Sequence, residues 1–316
     1  MHLSLVMPCY NEADNVEAMH DAIAEAFAGC GYDYELVFVD DGSRDATFQT
    51  LKALHARSPQ NITVVRFSRN FGKESALYAG LRHARGELVT LIDADLQQPP
   101  AIAREMAAFL AENDEFDCVT AFQEKRGEGK LLSFLKRGFY RLMNRITEIE
   151  FVQGASDFRT MRRSMVDAIV SMSERNRFSK GIFSWVGFHT HYVPYVAMER
   201  HAGTTKWSSR KLFRYAFDGI VSFTTMPLRL AAFAGVLSAL ASMIYMLVII
   251  IQRLVWGIAV EGFATLAVLI LFLGGLQLLS LGILGEYLAK NYVESKRRPI
   301  YLAREVLQPK EMGKED

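Results

Sequence analysis

Residues 87–100 read ELVTLIDADLQQPP, a largely aliphatic run that ends in two aspartates one residue apart. Residues 87–92 have the length and composition of a strand that is buried on both faces of a sheet. Asp93 and Asp95 follow directly, and no lysine or arginine lies close to them in the sequence. Because neighbouring carboxylates repel each other unless a cation joins them, the stretch predicts a buried strand that ends at a site for a positively charged partner.

The two aspartates have a simple geometric relation if the chain stays extended. Residues two apart then point to the same side, with about 6 to 7 Å between their backbones. Asp93 and Asp95 would face one ligand, with Gln97 next in the series. The two prolines that follow suit the first turn of a helix. The alternative interpretation is that Asp95 only caps this helix and Asp93 is a solvated charge.

Strand-like and helix-like segments alternate upstream of this stretch. The strands are rich in Val, Leu and Ile, and the segments between them repeat apolar residues at helical spacing. Such alternation predicts an α/β fold with a mostly parallel sheet and helices on both faces. The strands are predicted at residues 3–8, 34–39, 62–67 and 87–92, and the helices at 15–27, 47–56 and 74–85.

Polar residues follow three of the four predicted strands. In such a sheet, ligands bind beyond the carboxyl ends of the strands. The sequence contains neither a Walker loop nor a G-x-G-x-x-G motif, and carboxylates without such a loop favour a divalent cation that bridges carboxylate and phosphate. The three segments are Pro8-Cys9-Tyr10-Asn11-Glu12, Asp40-Asp41-Gly42-Ser43 and Asp93-Ala94-Asp95.

Two long runs near the C-terminus contain no charged residue. Residues 230–252 and 262–285 are each longer than the roughly 20 apolar residues that span a bilayer core, and they predict a transmembrane hairpin. The link between them carries only Arg253 and Glu261, whereas basic residues lie on both outer flanks. By the positive-inside rule, both flanks are cytoplasmic. These basic residues are Arg210, Lys211, Arg214, Arg229, Lys290, Lys296, Arg297 and Arg298.

The overall composition sets further limits. The chain has 316 residues, half of them hydrophobic, and a formal net charge of +1. This length allows one large or two modest domains, and we expect no nucleic-acid partner. The three cysteines form no C-x-x-C pair, which indicates a reducing compartment with neither disulfides nor zinc. No signal peptide is expected, because the first apolar run ends early at Asn11.

Two basic amphipathic helices are predicted outside the apolar runs. Residues 130–147 and 208–226 place apolar side chains at helical spacing opposite lysines and arginines. Such helices suit an interface with anionic lipid headgroups. Packing against the protein core is the alternative role, since most amphipathic helices do this.

The three polar segments resemble the signatures of family-2, A-type (GT-A) glycosyltransferases. Further motifs narrow the resemblance to the polyprenyl-phosphate glycosyltransferases. With the two C-terminal spans, the chain most resembles the bactoprenol (undecaprenyl-phosphate) glucosyltransferase group, which is related to dolichol-phosphate mannose synthases. The resemblance covers residues 3–290. The narrowing motifs are Asn70-Phe71-Gly72-Lys73, Asp157-Phe158-Arg159 and Arg200-His201-Ala202-Gly203-Thr204-Thr205-Lys206-Trp207.

The resemblance implies a GT-A fold, a nucleotide-sugar donor, an inverting single displacement and a lipid phosphate acceptor. It implies Mg²⁺ or Mn²⁺ held by Asp95 and Gln97, with Asp93 as a further ligand. Asp93 and Ala94 would also lie against the ribose and diphosphate of the donor. The residues that would contact the nucleoside are Pro8, Tyr10, Glu12 and Asp40.

The same resemblance supplies the residues on the acceptor side. Asp157 occupies the position of the catalytic carboxylate, with a salt bridge to a nearby arginine as the alternative role. Arg200 and Lys206 match a basic loop that closes over the phosphates. The family often has an arginine directly after the strand equivalent to residues 118–121, where this chain has Phe122 and Gln123, and Arg126 is the predicted substitute.

The resemblance also divides the chain and assigns its location. Residues 1–110 would bind the nucleotide sugar, 111–207 the acceptor, 208–227 the membrane interface, 228–289 would form the hairpin and 290–316 a cytoplasmic tail. The chain is therefore expected in a bacterial-type inner membrane, as a multi-pass protein with a cytoplasmic catalytic domain.

The identity of the substrates has no local signature in the sequence. UDP-glucose and undecaprenyl phosphate follow from the resemblance alone. The alternatives are GDP-mannose or a UDP-aminosugar as donor, or a membrane-tethered nucleotide-sugar-binding module without activity. Association into a homo-oligomer also stays open.

Overall fold

The computed structural model describes residues 2–123, 155–198, 224–256 and 262–309. The chain divides into two compact units. One consists of Met1–Leu212 together with Arg298–Asp316, and the other is Phe213–Arg297. The first unit contains all eight strands of the described residues, and the second contains two long helices.

The strands of the first unit form one mixed sheet in the order β7-β5-β6-β4-β1-β2-β3-β8. β1 is paired in parallel with β2 and with β4, β2 is parallel to β3, and β5 is parallel to β7. β6 and β8 run antiparallel to their neighbours. The strands are β1 (His2–Cys9), β2 (Asp33–Asp40), β3 (Ile62–Phe67), β4 (Leu88–Leu91), β5 (Cys118–Gln123), β6 (Ala155–Arg162), β7 (Thr190–Tyr195) and β8 (Ala303–Leu307).

The order in which strands are added to the sheet reverses at β1. From β1 the chain proceeds to β2 and β3 on one side, and it then returns to place β4 on the other side of β1. In open α/β sheets, ligands bind at such a switch point, beyond the carboxyl ends of the strands. The topology therefore points to the ends of β1 and β4.

Helices cover both faces of the sheet. On one face, α1 packs against both α2 and α4, and the three helices bury a large apolar cluster with β1 and β2. On the other face, α3 packs against β1 and β2 and contacts α5. The helices of this unit are α1 (Ala13–Phe27), α2 (Thr47–Arg57), α3 (Lys73–His83), α4 (Pro100–Glu112), α5 (Arg163–Ser171) and α6 (Ser179–Trp185).

The local sequence explains these elements well. In α1, the side chains of Val16, Met19 and Ile23 are fully buried, as their helical spacing predicts. α4 begins at Pro100, as expected for a proline whose missing N–H is not needed in the first turn. The predicted α/β architecture is confirmed, and the four strands and three helices predicted within residues 3–92 lie within two residues of their observed bounds.

The last strand joins the sheet after the chain has passed through the second unit. β8 is antiparallel to β3 and covers the edge of the sheet, and the backbone N–H of Ser68 donates to the carbonyl of Leu302 at 2.9 Å. The ring of Tyr301 stacks on Phe67 with 4.8 Å between centroids. The sequence predicts only a tail here, because β8 is short and its pairing partner lies more than two hundred residues away.

The second unit contains α7 (Met226–Trp256) and α8 (Phe263–Ser295). Both are long and apolar enough to cross a membrane, over Met226–Gln252 and Val268–Ser295. No other part of the described chain covers most of their large apolar side chains, so a non-aqueous environment or a partner must cover them. The phenol of Tyr287 in α8 donates to the carbonyl of Thr224, just before α7, at 2.7 Å.

The predicted interfacial helices cannot be compared with the structure. Residues 130–147 lie outside the described residues, and so do all but the last three residues of 208–226.

We expect Tyr301→Ala to lower the free energy of unfolding of the first unit by about 2 kcal/mol, because it removes the ring that stacks on Phe67. Denaturant unfolding of the full chain in detergent, followed by circular dichroism, measures this. Leu302→Ala is the matched control, because the Leu302 side chain is exposed. Equal losses in the two variants would contradict the role of the stacked ring.

Candidate functional site

The loops after β1 and β2 are tied to each other by hydrogen bonds. The backbone N–H of Asn11 donates to Ser43 Oγ at 2.9 Å, and Asn11 Oδ1 accepts from the N–H of Arg44 at 2.9 Å. The N–H of Glu12 donates to Thr47 Oγ1 at 2.9 Å. Asn11 has a φ of 54°, a conformation that asparagine tolerates better than most residues. These contacts bring two of the predicted nucleotide-binding segments, with Tyr10 and Glu12, to one place.

Asp40 lies at the end of β2 and is completely buried. Its Oδ1 accepts from the N–H of Ser43 at 2.9 Å, and its Oδ2 lies 3.7 Å from Arg66 Nε. Oδ2 has no hydrogen-bond partner within the described part of the chain. Pro8 lies at the end of the neighbouring strand, next to Val39. A buried carboxylate with an unfilled acceptor is a reasonable place to receive a donor from a ligand.

Asp41 connects the loop after β2 to the segment that begins α3. Its carboxylate accepts from the N–H of Phe71 at 2.6 Å and from the N–H of Gly72 at 2.9 Å. Burial raises the pKa of Asp41 to about 6, although these two hydrogen bonds oppose the shift. Gly42 allows the close approach, because a Cβ there would lie 2.4 Å from the backbone carbon of Arg69.

The chain after β4 turns instead of staying extended. The strand ends at Leu91, and Leu96 has a φ of 61°. The prediction of an extended run from Asp93 through Gln97 is therefore wrong. Within the turn, Asp95 Oδ1 accepts from the N–H of Gln97 at 3.2 Å, so these two candidate metal ligands lie next to each other. Ala94 is buried in the apolar cluster and anchors the turn.

Asp93 lies against a cation, but this cation is a lysine side chain and not the divalent ion that the sequence favours. Lys73 Nζ lies 2.7 Å from Asp93 Oδ1 and 3.0 Å from Oδ2. Gln98 fixes the same residue, since its Oε1 accepts from the N–H of Asp93 at 2.8 Å and its Nε2 donates to Asp93 Oδ2 at 3.3 Å. The partner in this structure is thus an ammonium from the start of α3.

Asp157 reaches the same ammonium from β6. In the antiparallel ladder of β4 and β6, Leu88 pairs with Arg162 and Leu91 with Arg159. Asp157 lies two residues before Arg159, and Asp93 lies two residues after Leu91. Asp157 Oδ2 lies 3.2 Å from Lys73 Nζ. The two aspartates, from different strands of the sheet, therefore meet at one lysine.

The predicted alternative for Asp157 was a salt bridge to a nearby arginine. The structure gives other contacts to both candidates. Arg162 pairs with Asp114 at 3.0 Å, and the guanidinium of Arg159 lies 3.7 Å above the ring of Phe183.

The positive groups around Asp157 keep it ionised. Burial alone would raise its pKa, but Lys73, followed by Lys180 and Arg159, lowers the pKa below its ordinary value. Tyr195, at the end of β7, shows the opposite effect of the site. Burial, and then the carboxylates of Asp93 and Asp95, raise the pKa of its phenol.

The described residues contain no group of three or more His, Cys, Asp or Glu side chains that could hold a metal ion. Mg²⁺, however, is usually held by one or two carboxylates together with substrate phosphates and waters. Asp95 beside Gln97 fits that pattern. The residues are therefore compatible with a cation that is held jointly by the protein and a phosphorylated ligand.

Most of the predicted site residues lie together where β1, β2 and β4 end and β6 begins. Those that the structure describes there are Pro8, Tyr10, Glu12, Asp40, Asp93, Ala94, Asp95, Gln97 and Asp157. Arg126, Arg200 and Lys206 lie outside the described residues. Sequence reasoning gave no role to Lys73, Asp41 or Tyr195. For Lys73 and Asp41, the only signal was their presence in quoted motifs.

The sequence of this chain is similar to known proteins over nearly its whole length. The sequence model of Glycosyl transferase family 2 matches residues 4–170. The putative glycosyltransferase CsbB of Bacillus subtilis (strain 168) is 43% identical over 303 residues, which cover 96% of this chain and 91% of that protein. The bactoprenol glucosyl transferase of Shigella phage SfV is 42% identical over 305 residues, with 96% and 98% covered.

A further relative and a solved structure are also similar to this chain. The prophage bactoprenol glucosyl transferase homolog of Escherichia coli (strain K12) is 41% identical over 309 residues, which cover 97% of this chain and 99% of that protein. Among solved structures, mannosyl-3-phosphoglycerate synthase from Rubrobacter xylanophilus is similar with a TM-score of 0.49 and 19% identity, covering 69% of this chain and 71% of that one.

The chain belongs to glycosyl transferase family 2. It is a glycosyltransferase, and its two apolar C-terminal helices are compatible with membrane association. The predicted family and enzyme class are confirmed.

The raised pKa of Asp41 predicts a pH-dependent stability. The pKa of Asp41 is about 6 in the folded chain and near 4 in the unfolded chain. Between pH 4 and pH 6, Asp41 is therefore more protonated in the folded chain than in the unfolded chain. The contribution of Asp41 to the free energy of unfolding is largest below pH 4 and is lost as the pH rises through 6. The free energy of unfolding of wild type minus that of Asp41→Asn should fall by roughly 2 kcal/mol between pH 4 and pH 7.

Urea unfolding in detergent at several pH values measures this difference. Asp45→Asn is the matched control in the same loop. Hydrogen bonds from Thr47 and from the N–H of Ala13 lower the pKa of Asp45 despite its burial cost, so its difference should change in the opposite direction. An Asp41 difference that is flat or rises with pH would contradict the account.

Proposed function

We propose that this glycosyltransferase moves glucose from UDP-glucose to undecaprenyl phosphate at the cytoplasmic face of the membrane, with inversion at the anomeric carbon and with Mg²⁺ or Mn²⁺. The class of enzyme comes from the family. The donor and acceptor are inferred from relatives that are described as bactoprenol glucosyl transferases.

One observation carries the proposal. Asp157 on β6 and Asp93 after β4 lie within 3.2 Å of the same ammonium. In the proposed reaction, Asp93 faces the donor and Asp157 faces the acceptor. A single-displacement transfer needs both substrates side by side in the orientation of attack, and this arrangement supports such a meeting point.

The donor side is supported by the switch point between β1 and β4. Pro8, Tyr10, Glu12 and Asp40 lie in the loops and strand ends that surround it, and there they would bind the nucleoside. Asp40 has a buried acceptor oxygen with no hydrogen bond among the described residues, and in the proposed complex it accepts a hydrogen bond from an N–H of the base or an O–H of the ribose.

The acceptor chemistry assigns a modest role to Asp157. A phosphate monoester has a second pKa near 6 and is mostly dianionic at neutral pH, so it hardly needs a base. Asp157, which is itself held ionised, would orient the phosphate or remove a residual proton. Arg126, Arg200 and Lys206 are proposed to bind the phosphates from parts of the chain outside the described residues.

The leaving group requires positive charge. Negative charge grows on the diphosphate as the bond to the sugar breaks, and stabilising it lowers the barrier. Asp95 and Gln97, with Asp93 as a further ligand, are proposed to hold a divalent cation together with the diphosphate. When bound, that cation would supply Lewis-acid stabilisation of the leaving group.

The location is supported by the chain path. α7 and α8 are two candidate spans, and the strands before and after them belong to one sheet. An even number of crossings returns the chain to the side it left. Basic residues on both flanks favour the cytoplasmic side, which would make the protein a two-span membrane protein with its sheet in the cytoplasm.

A donor and acceptor panel tests the proposal. The purified full chain in detergent is given UDP-glucose, GDP-mannose or a UDP-aminosugar, each with undecaprenyl phosphate and Mg²⁺ or Mn²⁺. We expect transfer of radiolabel to lipid from UDP-glucose at least tenfold faster than from the other donors, and loss of transfer with EDTA.

Inactivated protein and reactions without lipid are the controls. Transfer from GDP-mannose but not from UDP-glucose would overturn the donor assignment. Full activity in EDTA after metal stripping would overturn the metal dependence. Binding of UDP-glucose without any transfer would favour a binding module instead of an enzyme with this acceptor.

A further inference from the structure

Lys73 occupies the centre of the candidate site although no role follows for it from the proposed reaction. It is the first residue of α3. Its side chain is 38% exposed, and the two carboxylates that it contacts are 31% exposed for Asp93 and 20% for Asp157. The three groups are thus partly shielded from water but still open to a ligand.

The position of Lys73 is built from two sides. The carboxylate of Asp41 accepts from the N–H groups of Phe71 and Gly72, the two residues before Lys73. On the other side, Glu74 accepts from both the N–H and the hydroxyl of Ser179 at the start of α6. A surface lysine that only meets a carboxylate by chance would not have both neighbours fixed in this way.

Gly72 adds a backbone requirement to this arrangement. It has a φ of 99° and a ψ of 158°, a region that is essentially restricted to glycine. This conformation directs the chain into α3 directly before Lys73. The segment Asn70-Phe71-Gly72-Lys73 therefore holds the ammonium of Lys73 in a fixed position beside Asp93, where β4 ends.

The charges explain what the ammonium does there. Asp93 Oδ1 lies 2.7 Å and Asp157 Oδ2 lies 3.2 Å from the same Lys73 Nζ, so without that ammonium the two carboxylates would lie close together with no cation between them. One ammonium between them removes their repulsion and holds both in place. The pKa of Lys73 is raised because these two carboxylates outweigh the cost of its burial, so the lysine stays charged.

We propose that Lys73 is a positioning residue for the transfer reaction: its ammonium holds Asp93 for the donor and Asp157 for the acceptor at a fixed separation. This inference rests on the proposed function, since it takes the roles of the two aspartates from it. Lys73 acts through these carboxylates, so its effect on activity depends on their presence.

A double-mutant cycle tests this dependence. Lys73→Met, Asp157→Asn and the double variant of the full chain are compared with wild type in kcat/KM for undecaprenyl phosphate. We expect Lys73→Met to lower kcat/KM about 100-fold in the wild-type background but only about tenfold in the Asp157→Asn background, where the contact of Lys73 with Asp93 remains. Lys73→Arg, which keeps the charge, should recover most of the loss.

A purely structural lysine predicts a different pattern. In that case Lys73→Met would cause the same fold-loss with or without Asp157, and that result would overturn the proposal. Wild-type activity in Lys73→Met would also overturn it. Lys52→Met is the matched control, because Lys52 forms a mostly exposed pair with Glu305, and it should leave kcat/KM unchanged.

A binding cycle separates this inference from the proposed function. UDP-glucose affinity is measured by calorimetry for wild type, Lys73→Met, Asp93→Asn and their double variant. Overlapping losses support the coupling between Lys73 and Asp93 even if wild type transfers no sugar to the lipid, an outcome that overturns only the proposed function. Additive losses overturn the inference while leaving the function in place. No binding to wild type would overturn both.

Discussion

The site depends on one feature of the sheet, the antiparallel insertion of β6 beside β4. Parallel strands alone would bring only their carboxyl ends to the ligand edge. Because β6 runs antiparallel to β4, its beginning lies at that end of the sheet, and Asp157 reaches the same ammonium as Asp93. Lys73 then neutralises a pair of carboxylates that would otherwise repel each other. Through this ammonium the proposed donor and acceptor sides become one site.

A second constraint is the path of the chain through its two units. The sheet is completed by β8, which follows the two long apolar helices. The first unit is therefore connected to the second at two points of the chain, residues 212–213 and 297–298. The stacking of Tyr301 on Phe67 holds the segment after the second connection against β3.

Much of the fold follows from local patterns in the sequence, and the parts that do not share a physical cause. The strands β1 to β4 and the helices between them were predictable because buried strands and amphipathic helices each have their own periodicity. The edge location of Asp40 and Asp93 followed from the rule for parallel sheets. The turn at Leu96 was missed because a leucine with positive φ gives no glycine or asparagine signal. The contact of Lys73 with Asp157, and the pairing of β8 with β3, join residues far apart in sequence, and local patterns carry no information about such pairs.

The central claim is that the donor binds where β1, β2 and β4 end, in reach of Lys73. Photo-crosslinking of the full chain with 5-azido-UDP-glucose, followed by peptide mapping, tests this most directly. We expect the label on peptides that contain the Tyr10 or Asp40 loops, and we expect excess UDP-glucose to suppress it. Label confined to α5 and α6, or label that UDP-glucose does not displace, would contradict the account.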